Sequence, residues 1–132
     1  MNKLISVRLL VDDFAAAFAF FKDRMEFPVQ WGDAEGPYAE FAANEGLSIA
    51  LFQREIMQGV LSDEAGDADA DDRVTLIFGV DNVEETYELI SGVTRPWIEP
   101  KDRPQWGVRT AHLRLPEGLL IEINRPLDTE TS

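Results

Sequence analysis

The chain has 132 residues, 45% of them hydrophobic, which suits a folded domain with a real core and not a disordered chain. It has no cysteine, so disulfides, thiolate zinc sites and a cysteine nucleophile are excluded, and a reducing cytoplasm is the expected compartment. Twenty-five acidic residues against 12 basic ones give a net charge of −13, a field that repels nucleic acid and anionic membranes and draws cations.

The start, Met1-Asn2-Lys3-Leu4-Ile5, runs straight into an apolar segment and lacks the layout of a signal peptide. Residues 4–11 read as a strand, and Asp12 and Asp13 suit the start of a helix. The stretch 14–25 then reads as one continuous helix, with Phe14, Phe18, Phe21 and Met25 as its buried stripe. A short strand is expected at about 27–32. Strands at 38–43 and 47–53, joined by Asn44-Glu45-Gly46, form a hairpin. Arg54 to Leu61 could form a short helix inside a connecting segment of about 54–72. Six of the 11 residues from Ser62 to Asp72 are acidic, so an unpacked loop is expected there.

The same order then recurs. A strand at 74–80 leads into Asp81 and Asn82, a helix to about Ile90 and a stop at Gly92. A proline-rich strand at 94–100 precedes a loop, Lys101 to Gly107. Strands at 108–115 and 119–124 flank Pro116-Glu117-Gly118, and residues 128–132 read as a polar tail. Two echoes support duplication. Val11-Asp12-Asp13 returns as Val80-Asp81-Asn82 at an offset of 69, and Asn44-Glu45-Gly46-Leu47 returns as Pro116-Glu117-Gly118-Leu119 at an offset of 72. A repeat of this length fixes architecture before any single residue does.

Other chemistries find no support. There is no phosphate-binding glycine loop, no nucleophile elbow for a Ser-His-Asp triad, no basic stripe with interleaved aromatics, and no EF-hand spacing in the acidic segment. No apolar run reaches membrane-spanning length.

Two strand–helix–three-strand units, the junctions Val11-Asp12-Asp13 and Val80-Asp81-Asn82, and the run Trp106-Gly107-Val108-Arg109 followed by Leu115-Pro116-Glu117-Gly118-Leu119-Leu120-Ile121-Glu122-Ile123 carry a resemblance. The chain resembles the vicinal oxygen chelate superfamily, which includes glyoxalase I, extradiol dioxygenases, fosfomycin-resistance enzymes and bleomycin-binding resistance proteins. The resemblance covers roughly residues 4–127 and implies an α+β domain. Its two βαβββ units, at about 4–53 and 73–125, would form a curved mixed sheet around a shared cleft and pair across a homodimer.

The resemblance also locates the metal-ligand positions of that superfamily at Ser6, Ala50, Thr75 and Glu122. Only Glu122 matches a ligand type, and the single histidine, His112, rules out a two-histidine site within one chain. No metal and no other cofactor is therefore expected. If Glu122 faces inward, alternation brings Leu120 and Asn124 with it, and Ser6, Arg8 and Leu10 share the corresponding face of the first strand. The expected ligand-binding set is Arg8, Glu40, Phe52, Trp106, His112 and Glu122, with apolar walls from Phe52 and Ile77. His112 and Glu122 are the catalytic candidates.

Bland alternatives stand beside these assignments. His112 could be a satisfied structural histidine, and Glu40 would face solvent if the hairpin register slipped by one residue. Trp31 and Trp97 read as core or interface. The leading functional reading is a metal-free, small-molecule binding protein resembling bleomycin-resistance proteins, with a cationic or aromatic ligand and no nucleic-acid or membrane partner. The alternative is a lyase, isomerase or dioxygenase with a nonstandard metal or acid/base site. A third is a scaffold with no ligand.

Overall fold

Alternation along the strands separates two kinds of surface, and the connections between strands repeat that separation twice. The computed structural model describes residues 2–66, 71–91 and 95–127, excluding the side chains of residues 95–97. The central part of the acidic segment (67–70), Gly92, the 128–132 tail and the side chain of Trp97 lie outside the described residues. The elements run β1 (Lys3–Val11), α1 (Phe14–Ala19), β2 (Val29–Trp31), β3 (Tyr38–Asn44), β4 (Leu47–Gln53), α2 (Arg54–Ala65), β5 (Val74–Gly79), α3 (Val83–Ser91), β6 (Arg95–Arg103), β7 (Val108–Arg114) and β8 (Leu120–Pro126). The fold class is α+β.

The chain divides into two compact units, Ile5–Leu76 and Ile77 onward, the second also taking the residues before Ile5. In the first, the strand order is β2-β3-β4-β1. β1 pairs parallel with β4, while β3 pairs antiparallel with both β4 and β2. In the second, the order is β6-β7-β8-β5, with β7 antiparallel to both β6 and β8. The two hairpins also share a register. Glu40 lies opposite Ala50 in the first, and His112 lies opposite Glu122 in the second. The offset of 72 read from the sequence is thus a geometric equivalence.

Each strand-to-helix junction is capped as its sequence dictates. Asp13 Oδ1 accepts from the Ala16 amide at 3.1 Å, and Asn82 Oδ1 accepts from the Glu85 amide at 2.9 Å. Asp12 has a separate task. It accepts from Arg54 Nε at 2.8 Å and Arg73 Nη1 at 3.2 Å, and Arg54 also reaches Asp71 at 2.6 Å.

The core of the first unit is aromatic. Phe14 and Phe18 of α1 pack with Ala39, Phe41 and Leu51, and Phe41 meets the Phe18 and Phe21 rings at 5.2 and 5.7 Å. Three expectations fail here or nearby. The helix does not continue in α form to Met25. Residues Phe20–Arg24 form a π-helical turn instead. Five-residue spacing changes which side chains share a face, so Phe21 still packs on Phe41 while Met25 is exposed. The short helix read at Arg54 to Leu61 runs on to Ala65, into the stretch expected to be unpacked loop. Met57 and Leu61, four apart, bury one stripe of it, and Gly66 ends it at φ 69°. The expected loop at 101–107 is shorter, since Lys101, Asp102 and Arg103 pair with Thr110, Arg109 and Val108.

Gly32 is required where β2 turns toward β3. Its φ is 83°, and an added Cβ would stand 2.4 Å from the Tyr38 carbonyl oxygen.

Two outcomes follow from this packing. Phe41→Ala is expected to lose about 3–5 kcal/mol of stability in urea unfolding, as for other fully buried aromatics. Arg54 hydrogen bonding holds the Asp12 carboxyl below its ordinary value of 3.8. Its stabilising contribution is therefore present at neutral pH and lost as pH falls through the depressed folded value. Asp12→Asn should lower the unfolding midpoint at pH 7 and leave it little changed below the depressed value; an equal shift at both pH values would contradict the ion-pair assignment.

Candidate functional site

In each unit one sheet face is packed by a helix, α1 in the first and α3 in the second. In the second unit, α3 packs against β6, β7 and β8. The alternating residues Ala111, Leu113, Ile121 and Ile123 are apolar and buried. The intervening residues on the same strands, Thr110, His112, Arg114, Glu122 and Asn124, are also buried, yet polar. Burial without partners costs a polar group several kcal/mol, so hydrogen bonds to these side chains matter.

His112 and Glu122 meet directly across β7 and β8. His112 Nε2 lies 2.9 Å from Glu122 Oε1, with the two side chains 0% and 1% exposed. Asn124 Nδ2 donates to Glu122 Oε2 at 3.0 Å. Arg103 Nε donates to the Thr110 hydroxyl at 2.9 Å, and its guanidinium carbon lies 4.9 Å from the Trp106 ring centroid. Arg114 Nη1 donates to the Gly118 carbonyl at 2.7 Å, closing the turn between β7 and β8. His112 Nδ1 has no hydrogen-bond partner among the described residues. At the far end of the hairpin, Arg109 binds Glu84 and Asp102 and lowers the Glu84 pKa, tying α3 to β6 and β7.

The first unit shows the same division. Leu9, Val11, Ala39, Phe41 and Leu51 belong to the core beneath α1. Ser6, Arg8, Tyr38, Glu40, Ser48, Ala50 and Phe52 occupy the alternate positions, and the register places Arg8 and Glu40 on either side of Ala50. Tyr38 Oη donates to Glu40 Oε1 at 2.7 Å, and Glu40 is half-buried. Arg8 stands over the Phe52 ring at 5.9 Å, and the Ser48 hydroxyl donates to Ser6 Oγ at 3.0 Å. Trp31, expected as core or interface, is 60% exposed, and its ring lies 5.7 Å from that of Tyr38. It sits on the three-residue strand β2, all of whose residues are exposed.

Of the residues singled out from the sequence, Arg8, Glu40 and Phe52 alternate in the first unit with the residues packed under α1. His112 and Glu122 bond to each other in the second. Trp106 lies in the turn before β7, 39% exposed, against Arg103. Phe52 and Ile77 are both buried. Tyr38, Arg103, Thr110 and Arg114 are not among the residues singled out from the sequence, and Asn124 enters there only as a face-sharing neighbour of Glu122. Alternation outward from Glu40, His112 and Glu122 is the signal that reaches Tyr38, Thr110, Arg114 and Asn124.

The chain belongs to the Glyoxalase/Bleomycin resistance protein/Dioxygenase superfamily, whose family model matches residues 3–123. It is 36% identical over 128 residues to the uncharacterized protein YraH of Bacillus subtilis (strain 168), across 95% of this chain and 99% of that protein. Solved structures share the fold. A glyoxalase/bleomycin resistance protein/dioxygenase superfamily member from Vibrio splendidus 12B01 aligns with TM-score 0.62 at 14% identity, over 96% of this chain and 100% of that one. A variant of Streptomyces coelicolor methylmalonyl-CoA epimerase, in complex with 2-nitronate-propionyl-CoA, aligns with TM-score 0.62 at 18% identity, over 96% and 98%.

The superfamily's metal-ligand positions do not fit an ion in this chain. Ser6, Ala50, Thr75 and Glu122 offer two hydroxyls, a methyl and one carboxylate, which is a poor donor set for zinc, nickel or iron. Glu122 already accepts from Asn124 and contacts His112. Among the described residues, no group of three or more His, Cys, Asp or Glu side chains could hold a metal ion.

A double-mutant cycle on His112→Ala and Glu122→Ala measures the central contact. The expected coupling is about 1.5–3 kcal/mol, the range for a hydrogen bond to a charged group. A coupling near zero in urea unfolding would show that the two side chains act independently.

Proposed function

We propose that the protein binds a planar, cationic small molecule through polar side chains of its sheet without a resident metal ion, as a sequestering protein of the bleomycin-resistance type. The observation that supports this most directly is the set of buried polar side chains where folding alone would place apolar ones. Such a row adds little net stability, and it supplies directional contacts for a ligand. In the first unit, the Trp31 and Tyr38 rings next to Glu40 combine π faces with a carboxylate, a pairing suited to a planar cation. The net charge of −13 favours accumulation of such a compound. A homodimer in the cytoplasm is the assembly and setting that go with this reading. No helix among the described residues is long and apolar enough to cross a membrane.

Isothermal titration with bleomycin and simpler planar cations tests the reading. Saturable heat is expected, with Trp31→Ala and Glu40→Gln each weakening affinity by about tenfold, or ~1.4 kcal/mol. Absence of heat at high micromolar ligand, from protein shown to be folded, contradicts it.

The His112–Glu122 contact favours a second reading, acid–base catalysis by a lyase or isomerase, because a histidine held by a carboxylate can move a proton. Turnover abolished in His112→Ala, with substrate still bound, would move the assignment to that reading.

A further inference from the structure

We infer that Glu122 and Asn124 fix His112 in one neutral tautomer, with the proton on Nε2, so that Nδ1 serves as a hydrogen-bond acceptor for a ligand N–H or O–H. Asn124 is a positioning residue here. Its amide nitrogen can only donate, and it donates to Glu122 Oε2. That contact favours the ionised carboxylate, because a hydrogen bond to a charged oxygen stabilises the charged form. An ionised carboxylate can only accept, so the 2.9 Å contact between Glu122 Oε1 and His112 Nε2 requires the hydrogen to reside on Nε2.

The other nitrogen decides between the neutral ring and the imidazolium. Nδ1 is buried and has no hydrogen-bond partner among the described residues. Protonating it would bury an unpaired charged donor, whereas an unprotonated Nδ1 leaves only a lone pair without a partner. Buried orphan donors are the rarer and costlier of the two. The neutral Nε2–H form is therefore favoured.

The ligand class narrows as a result. This step rests on the proposed binding of planar cations and specifies which of them fit. A protonated amine, amidine or similar N–H cation can donate to Nδ1, while a quaternary ammonium of the same shape cannot. The tautomer itself does not depend on that reading.

The single histidine makes the test direct, because all imidazole nitrogen signals in the protein come from His112. Long-range proton–nitrogen NMR at pH 7 is expected to show a pyridine-type Nδ1 and a pyrrole-type Nε2. Glu122→Gln provides the second measurement. Asn124 will turn the glutamine oxygen toward itself, leaving the glutamine NH2 to donate to His112 Nε2. The proton then moves to Nδ1, and the two nitrogen signals exchange character. Glu122→Gln/Asn124→Ala removes that orientation and should give a mixed pattern.

A matched pair of probes reads the acceptor role. Benzamidine should move the Nδ1 signal of the wild-type protein, and trimethylphenylammonium should not. An imidazolium or a protonated Nδ1 in the wild type, or an unchanged pattern in Glu122→Gln, overturns the tautomer assignment. Equal shifts from the two cations, or none from either, overturn the donor requirement. The free-protein spectra decide the tautomer alone, so failure of the binding reading and failure of this assignment are seen in separate experiments.

Discussion

The structure depends on the two-residue period of its strands being used in full, with neither face left to chance. One face of each unit carries apolar side chains against a helix. The other carries hydroxyls, amides, guanidinia and carboxylates among apolar side chains such as Phe52 and Leu120. A shift of one residue in either hairpin would exchange the two sets, placing Phe41 or Leu113 away from its helix and driving Glu40 or His112 into apolar packing. Register is therefore held by hydrophobic burial, and the polar groups inherit their positions from it.

Duplication extends this constraint to the level of single pairs. Ala50 and Glu122 occupy equivalent places opposite Glu40 and His112. The same scaffold position thus holds a methyl in one unit and a buried carboxylate in the other. In the second unit the carboxylate brings requirements with it. A buried charge must be paired, and His112 and Asn124 meet that need on its two oxygens. In the first unit, with only Ala50 at that position, Glu40 turns to Tyr38 instead. The difference between the units lies in side-chain chemistry mounted on one backbone plan. The superfamily places many activities on this fold, so function must be argued from those side chains.

Much of this is legible in the residues. The repeat, both hairpins and the capping roles of Asp13 and Asn82 all follow from local patterns and offsets. Other features are not legible, for identifiable reasons. The π-helical turn at Phe20–Arg24 has no periodic signature in a run of consecutive apolar residues, so Met25 reads as buried. The acidic composition after Ser62 outweighs the sparse Met57–Leu61 stripe that extends α2. Trp31 reads as core or interface from its residue type, and within the single chain it is exposed. Arg103 reads as loop because prolines flank it, and its bond to Thr110 depends on a pairing that only the folded sheet displays.

The central claim is that the polar row beside β7 and β8 is kept for a ligand and not for stability. Replacing His112→Leu, Glu122→Met and Asn124→Leu together, then measuring urea unfolding and cation binding on the same samples, tests it most directly. Buried polar groups exchanged as a set for packed apolar ones usually leave stability unchanged or raised. The account predicts an unfolding midpoint at or above wild type with binding abolished. A loss of several kcal/mol with binding retained would show that the row is a structural element, and would contradict the account.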